Sequence, residues 1–309
     1  MKSSPTEITG DQLATVLAGP NRPRVIDVLP EEEHNSAHIP GAENACVFKV
    51  TFLDEIQKLV SSRTDPVVVY GFNRHDLAST TAAQKLLAAG YTQVANYKGG
   101  LEDWRGAGRH IEGNSSRNKD NLRLSDGLYP VDVEKSTIHW AGRNLMSAHH
   151  GTLRLRVGQV EVRQGRPARG AFTLDMDSIQ NTDIQDPQLR QVLVQHLKSD
   201  DFFDVGRFPV AEFQLSQFRT LPEATAGSPN FEAVGSLTLK GVTRDIVFQT
   251  ILAPTSDGRL AADAHLDIDR TQWNVLYGSG KFYQKLGKHL VNDDISLGLK
   301  LLTLPASKP

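Results

Sequence analysis

The strongest constraint on the fold is an alternation of apolar and polar residues with a period of two across residues 131–301. Leu153, Leu155 and Val157 share one parity, and similar runs recur at hairpin spacing, with a turn signal at Asp257-Gly258. This alternation is typical of half-buried antiparallel strands, and we expect about eight or nine of them. Strands in this number favour closure into a barrel, because closure removes unpaired edges. Such a barrel has an interior that side chains fill or that holds one small ligand.

One amphipathic helix interrupts the strands near the middle of this region. Asp186 precedes Pro187, the order expected of a helix N-cap followed by a proline in the first turn. The next apolar residues share one helical face: Leu189, Val192, Leu193, His196 and Leu197. A lone helix among strands must bury this face, so we expect it to lie across the barrel mouth or a sheet face. A sharper hypothesis is that the helix lines a cavity entrance together with Phe202 and Phe203.

The first third of the chain alternates strand and helix signals instead. Residues 25–28, 66–70 and 93–97 are short strand candidates, and residues 66–70 have the continuous hydrophobicity of a central parallel strand. Residues 53–60 and the alanine-rich residues 77–89 are predicted helices. This order predicts an α/β three-layer domain with a parallel sheet. The predicted fold class is therefore multidomain, an α/β domain followed by an all-β antiparallel barrel with one inserted helix.

Length and composition limit the remaining possibilities for domain number, partner class and location. At 309 residues the chain is long enough for two domains with separate cores, and its net charge of −2 gives no reason to expect a nucleic-acid partner. The single cysteine, Cys46, excludes an internal disulfide framework. Residues 1–10 lack the apolar core of a secretory signal, and no apolar run reaches transmembrane length. We therefore expect a cytoplasmic protein without a transmembrane segment.

A polar stretch separates the two halves. Residues 113–121 contain no apolar side chain and have the composition of a flexible linker. We predict an N-terminal domain over residues 1–113, a linker over 114–128 and a barrel over 129–304.

Four motifs in the N-terminal domain resemble the rhodanese family. They are Asp27 after the first strand, HIPGA at 38–42, the apolar run at 67–70 and GGLEDW at 99–104, in that order. The resemblance covers roughly residues 7–112. It implies a three-layer fold and, in active members, a cysteine nucleophile at the base of a loop of backbone N–H groups, where the thiol pKa is lowered.

The loop that should carry this cysteine begins with a glycine here, and it comprises Gly71, Phe72, Asn73, Arg74, His75 and Asp76. Asp76 stands where the family often has arginine, and Leu29 replaces the arginine usual after the first strand. Because glycine supplies no nucleophile and an acid disfavours an anionic substrate, we predict an inactive sulfurtransferase that binds, docks or stabilises. Cys46 is interpreted as a small buried residue. Arg74 and His75 are either exposed loop residues or residues that bind an anion.

Motifs spread over nearly all of residues 129–303 resemble the YceI-like family. They are YxVD at 129–132, SxIxW at 136–140, DMDSI at 175–179, HLKSDDFFD at 196–204, FPxAxF at 208–213, GxLTLKGVT at 235–243 and DRTxW at 269–273. The resemblance implies a lipocalin-like antiparallel barrel that binds a long isoprenoid or similar amphiphile inside. Such a ligand suits an apolar lumen, since each buried CH₂ contributes about 0.8 kcal/mol.

The candidate ligand-binding residues are mostly large side chains expected near the lumen or its mouth, although each one also fits a plain core. They are Trp140, Phe172, Met176, Leu193, Leu197, Phe202, Phe203, Phe213, Arg270, Trp273, Tyr277, Phe282 and Tyr283. The segment 270–289 is too long for a hairpin turn. Its basic residues either hold a polar head group or form a solvated loop: Arg270, Lys281, Lys285 and Lys288. Small inward residues either permit close packing or leave a tunnel: Ala168, Gly170, Ala233, Gly235, Ala262 and Ala264.

Catalytic, cofactor and metal sites are not predicted. His149 and His150 are adjacent on a strand and therefore point to opposite faces, and the barrel histidines show no HxH or HxxxH spacing. No GxSxG motif is present, which argues against a hydrolase of the nucleophile-elbow type.

Three functional hypotheses follow. The first is a non-catalytic carrier of a lipophilic small molecule, isoprenoid or quinone-like. The second is an enzyme that acts on that ligand or keeps a residual sulfur-related activity. The third is a structural, stress-linked scaffold with a filled barrel. A homodimer and a protein partner for the rhodanese-like domain stay open.

Overall fold

The computed structural model describes residues 5–114 and 124–307, apart from the side chain of Lys288. The chain divides between Asp120 and Asn121 into two units, each with its own hydrophobic core. Most of the predicted linker lies outside the described residues, so its character stays a prediction. No helix within the described ranges is long and apolar enough to cross a membrane.

The N-terminal unit is built on a parallel sheet. Its strands are β1 (Thr6–Glu7), β2 (Arg24–Asp27), β3 (Glu43–Asn44), β4 (Val67–Tyr70) and β5 (Val94–Tyr97). They pair in the order β1-β5-β4-β2-β3. Its helices are α1 (Gly10–Ala18), α2 (Glu31–Ser36), α3 (Phe52–Leu59), α4 (Ala78–Ala88) and α5 (Gly100–Gly106). Strand β4 is buried along its whole length, as an unbroken apolar run requires. The predicted α/β domain with a parallel sheet is confirmed.

Helix α1 was not predicted, although its N-terminus carries a recognisable signal. The N–H of Gln12 donates to the Thr9 hydroxyl at 3.2 Å, and the Gln12 side chain accepts the N–H of Thr9 at 2.8 Å. This reciprocal pair is a capping box. Only Gly10 and Leu13 of the helix are buried, so its periodic apolar signal is weak.

The C-terminal unit is an antiparallel barrel with one α-helix, α6 (Pro187–Lys198). Its strands are β6 (Gly127–Pro130), β7 (Thr137–Arg143), β8 (Ala148–Arg163), β9 (Arg166–Asn181), β10 (Val210–Thr220), β11 (Phe231–Leu239), β12 (Val242–Pro254), β13 (Leu260–Asp269) and β14 (Asp294–Leu302). Strands β7 to β14 form a ring that the β8–β9 pairing closes, and β6 pairs with β8 beside it. The predicted closed antiparallel barrel is confirmed.

Strand parity follows the predicted pattern with one exception. On β11 every second residue from Ala233 to Leu239 is buried, because successive side chains point to opposite faces. On β8 the register shifts between Leu155 and Val157. Leu155 is buried while Val157 is 57% exposed, so the prediction that they share the inward face was wrong. The irregularity changes the face of the sheet to which the following side chains point.

Four segments meet at one end of the barrel, which we call the mouth end. They are the turn 144–147 between β7 and β8, the connection 182–209 that contains α6, the turn 240–241 between β11 and β12, and the connection 270–293 between β13 and β14. The N–H of Asn292 donates to the carbonyl of Arg143 at 2.8 Å, which joins the 270–293 connection to the end of β7. The Asp186 carboxylate accepts the N–H of Gln188 at 2.8 Å, which confirms the predicted start of α6.

Candidate functional site

The barrel encloses a cavity of about 280 Å³. Inward-facing side chains from all eight strands of the ring form its wall, and α6 contributes Leu193 and Leu197 at the mouth end. Nearly all of these side chains are hydrocarbon. A molecule bound there must therefore be apolar along most of its length, because a polar group would lose its hydrogen bonds to water.

Nine of the thirteen predicted ligand-binding residues line this cavity: Trp140, Phe172, Met176, Leu193, Leu197, Phe202, Phe203, Phe213 and Arg270. The rings of Phe172 and Phe213, on adjacent strands, stack with centroids 6.1 Å apart. Phe248 extends this row at 5.7 Å from Phe213. The row gives the lumen one aromatic wall.

The structure places the other four outside the cavity wall. Trp273 is buried, and its indole N–H donates to the Leu237 carbonyl at 3.0 Å, which fixes the ring in the core. Tyr277 packs edge-on against the His196 ring of α6 at 4.7 Å. Two are exposed to solvent: Phe282 and Tyr283. Irregular backbone has no period that says which side chains point inward, so the sequence could not separate these four from the wall.

Arg270 lines the cavity, but its guanidinium is already engaged. It is 1% exposed and donates to three backbone carbonyls, those of Asn292 at 3.1 Å, Val275 at 2.6 Å and Val291 at 3.1 Å. Burial lowers the pKa of Arg270, and Asp293, 3.8 Å from Nη2, acts in the opposite direction. The side chain therefore holds the 270–293 connection in place.

The other basic residues of this connection give the head-group hypothesis no support either. Lys281 forms ion pairs with Asp269 at 2.7 Å and Asp293 at 3.2 Å, and these contacts raise its pKa. Lys285 is exposed, and the Lys288 side chain lies outside the described part. Polar residues at the cavity mouth come instead from the β7–β8 hairpin: Arg143, Asn144, Ser147 and His149. No sequence signal identified them, because a hairpin's position over a mouth depends on strand pairing.

Several aliphatic strand residues that were not among the candidate ligand-binding residues also line the wall: Ile138, Leu153, Leu155, Leu215, Leu237, Leu266 and Leu299. Both alternatives for the small residues occur. Three of them leave volume in the cavity wall: Ala233, Ala262 and Ala264. Two glycines permit close packing, since a Cβ would lie 2.9 Å from the Phe172 ring at Gly170 and 2.7 Å from the Phe213 ring at Gly235.

Helix α6 buries only the C-terminal half of its apolar face. Leu197 is 8% exposed, whereas Leu189 and Val192 are 60% and 67% exposed. The expectation that the whole face is buried was wrong for these two residues. Only the last turns of α6 pack against the barrel, so the apolar side chains of its first turns are exposed to solvent.

The loop 71–76 of the N-terminal unit is closed on itself. The Asp76 carboxylate accepts the N–H groups of Phe72 at 3.0 Å and Ala78 at 2.9 Å. Asn73 Oδ1 accepts the N–H of Asp76 at 3.2 Å. These backbone donors therefore bind side chains of the loop itself rather than an anion. A Cβ at Gly71 would lie 2.7 Å from Asp76 Oδ2.

The residues in and around this loop differ in their exposure to solvent. Arg74 and His75 are exposed, and neither forms an ion pair with a described residue. Cys46 is buried, which confirms that interpretation. Asp27 is fully buried and accepts the Tyr70 hydroxyl at 3.1 Å, and burial together with this carboxylate raises the pKa of Tyr70 well above its usual range.

Several histidines form pairs with carboxylates or with each other. Within the described ranges, no group of three or more His, Cys, Asp or Glu side chains could hold a metal ion. His149 Nδ1 lies 2.8 Å from the Asp183 carboxylate, which also accepts the N–H of His150 at 2.8 Å. An HxxxH spacing does occur in the N-terminal unit, at His34 and His38, where the rings stack with centroids 4.0 Å apart.

Family models match both units. The rhodanese-like domain matches residues 10–107, and the YceI-like domain matches residues 129–302, more than half of the chain. The UPF0312 protein YE1254 of Yersinia enterocolitica is 29% identical over 97 residues, and the uncharacterized protein YqhL of Bacillus subtilis is 34% identical over 89 residues. These matches span 30% and 29% of the chain, 47% of the first relative and 66% of the second.

Solved structures also match part of the chain. BcnA of Burkholderia cenocepacia is 22% identical, with a TM-score of 0.45, over 56% of this chain and 99% of that one. A polyisoprenoid binding domain from Saccharophagus degradans, implicated in plant cell wall breakdown, is 16% identical, with a TM-score of 0.41, over 59% of this chain and 100% of that one. From the extent of the family match, the chain belongs to the YceI-like domain family and carries a rhodanese-like domain N-terminal to its barrel.

Proposed function

We propose that the barrel binds one molecule with a long apolar chain, isoprenoid or quinone-like, and carries or sequesters it unchanged. The observation that carries this proposal is the apolar cavity of about 280 Å³. Each CH₂ moved out of water contributes about 0.8 kcal/mol, so a chain of about ten carbons outweighs the cost of ordering it. The isoprenoid class itself rests on the resemblance to the YceI-like family.

The size of the cavity favours a slender ligand. Ligand pockets typically measure about 300–1,000 Å³, and this lumen lies just below that range. Its length follows strands that run from the mouth end to the opposite end. A linear chain fits such a space better than a fused ring system does.

Two observations favour binding over catalysis or a filled scaffold. Polar groups of the wall are engaged within the protein: the Thr250 hydroxyl donates to the Asp263 carbonyl at 3.0 Å, and the Thr303 hydroxyl accepts the N–H of Leu260 at 2.9 Å. These groups are poorly placed to act on a ligand. The open volume in the lumen argues against the scaffold hypothesis, which requires a filled barrel.

For the N-terminal domain we propose a binding role without sulfur transfer. Gly71 supplies no thiolate, and Asp76 takes up the backbone donors that an anionic substrate would need. Large apolar side chains are exposed in the segments that follow β3 and β4: Phe48, Val50, Phe72 and Leu77. Exposed apolar residues at one edge of a sheet are typical of a protein-binding surface. A photo-crosslinking residue at position 48 should capture one defined partner, whereas one at the exposed Gln57 on α3 should not.

The deciding experiment is native mass spectrometry, with organic extraction, of full-length protein purified without detergent. A stoichiometric lipophile supports the carrier and identifies its chemical class. Ala262→Leu extends a side chain into the lumen and should lower occupancy at least about tenfold. Ala253→Leu on the outer face is the matched control. A protein that is empty and takes up neither an added prenyl alcohol nor a quinone contradicts the proposal.

A further inference from the structure

The mouth end carries a group of exposed apolar side chains that lies outside the cavity. We call it the mouth collar: Leu145, Met146, Leu189, Val192, Phe282 and Tyr283. Leu145 and Met146 at the hairpin tip are each 89% exposed, and the remaining four are between 49% and 67% exposed. Large apolar side chains exposed together in this way are typical of an interaction surface.

The collar is continuous with the entrance of the lumen. Each of the three segments that carry it also supplies a residue that lines the cavity: Ser147 from the hairpin, Leu193 from α6 and Val291 from the 270–293 connection. The segments contact one another, since His149 binds Asp183 before α6 at 2.8 Å. A surface that covers the collar therefore also faces the opening through which a ligand enters.

Charge beside the collar side chains favours an anionic partner. Arg143, Arg190 and Lys285 are exposed, and none forms an ion pair with a carboxylate among the described residues. Four nearby carboxylates are engaged within the protein: Asp183 by His149, Asp186 as the cap of α6, and Asp269 and Asp293 by Lys281. Three exposed carboxylates of the same end, Asp200, Asp201 and Asp294, lie at least eight residues along the chain from any collar side chain, whereas each of the three cations lies within two residues of one. Arg143 donates to the Ser296 hydroxyl at 2.6 Å, so its charge is not neutralised. A second copy docked mouth to mouth would bring these three cations together, whereas an anionic surface would pair with them.

We propose that the mouth collar docks the barrel onto an anionic lipid bilayer. Apolar side chains of the collar enter the interface between head groups and acyl chains, while the three cations bind lipid phosphates. The entrance then faces the bilayer, so a lipophile passes into the lumen without crossing water. The reason to dock rests on the proposed carrier function, but the six collar side chains do not contact the lumen.

Co-sedimentation of the full-length protein with vesicles tests this proposal. We expect binding to phosphatidylcholine vesicles that contain about 30% phosphatidylglycerol, and weaker binding at about 0.5 M salt. The double variant Leu145→Ser and Met146→Ser should bind these vesicles at least about tenfold more weakly, with an unchanged thermal midpoint because both side chains are exposed. Val247→Ser, which removes a side chain that is 55% exposed on β12, is the matched control.

Other results would overturn the docking proposal. Equal vesicle binding by wild type and the double variant would show that the collar does not dock. A wild-type dimer that the double variant converts to a monomer, without vesicle binding by either, would make the collar an interface between copies. The two proposals fail separately: Ala262→Leu should lose the ligand and still bind vesicles, whereas the double variant should keep added ligand in the lumen.

Discussion

Arg270 Nη1 donates to the carbonyl oxygen of Val275 at 2.6 Å. Both residues are almost completely buried, and the same guanidinium also binds the carbonyls of Val291 and Asn292. One charged side chain therefore joins the beginning and the end of the 270–293 connection, which has no strand and only two short 3-10 turns. The shape of the barrel mouth depends on this residue.

Replacement of Arg270 should destabilise the barrel. Arg270→Met leaves three buried carbonyls without their donor, so we expect the free energy of unfolding to fall by about 3 kcal/mol. Arg190→Met removes an exposed arginine of the same end and should change it by less than about 0.5 kcal/mol. Urea denaturation measures both. Wild-type stability in Arg270→Met would mean that other contacts hold the connection.

Gly235 should tolerate no side chain. A Cβ there would lie 2.5 Å from the Gln214 carbonyl oxygen and 2.7 Å from the Phe213 ring, so Gly235→Ala should cost about 2 kcal/mol of stability. Gly142→Ala is the matched control, because a Cβ at this other strand glycine meets nothing within 4 Å. Equal stability of the two variants, measured by thermal unfolding, would show that the aromatic wall can move aside.

A cysteine at position 71 should not become a reactive thiolate while Asp76 is present. Its Cβ would lie 2.7 Å from the Asp76 carboxylate, and a like charge at this distance raises the pKa of a thiol. We expect Gly71→Cys combined with Asp76→Ala to react with iodoacetamide at pH 7 at least about tenfold faster than Gly71→Cys alone. Wild type, in which Cys46 is buried, gives the background rate. Equal rates in the two variants would contradict this role of Asp76.

Asp183 should make stability depend on acid pH. Partial burial acts to raise its pKa, but hydrogen bonds from the His150 N–H and from the His149 and Asn181 side chains outweigh burial and lower it to about 2, from an ordinary 3.8. Stability from the ionised carboxylate is thus complete above about pH 4 and is lost as the pH falls towards about 2. We expect wild type and Asp183→Asn to differ most above pH 4 and to converge below it.

Urea denaturation at a series of pH values measures this difference. Asp245→Asn, which changes an exposed carboxylate on β12, is the control and should show a small difference from wild type at every pH. A difference between wild type and Asp183→Asn that does not shrink as the pH falls would contradict the linkage.

Local patterns predicted some parts of this molecule and not others. Parity placed Phe172 and Phe213 on the inward face, because side-chain direction alternates along any regular strand. It failed at Val157, where a register shift against the neighbouring strand changes the phase. Helical periodicity identified α6 but not the exposure of Leu189, because a helix's own period does not say how much of it the barrel covers.

The amino-acid sequence by itself determined the two folds, their order and the presence of a glycine at position 71. Apolar periodicity and the identity of Gly71 are local properties, and a glycine cannot act as a thiol in any fold. Only the tertiary structure decided that the lumen is hollow, that Arg270 binds carbonyls rather than a head group, and that Arg143 lies at the mouth. These properties depend on distances between strands far apart in the chain, and no local pattern records those distances.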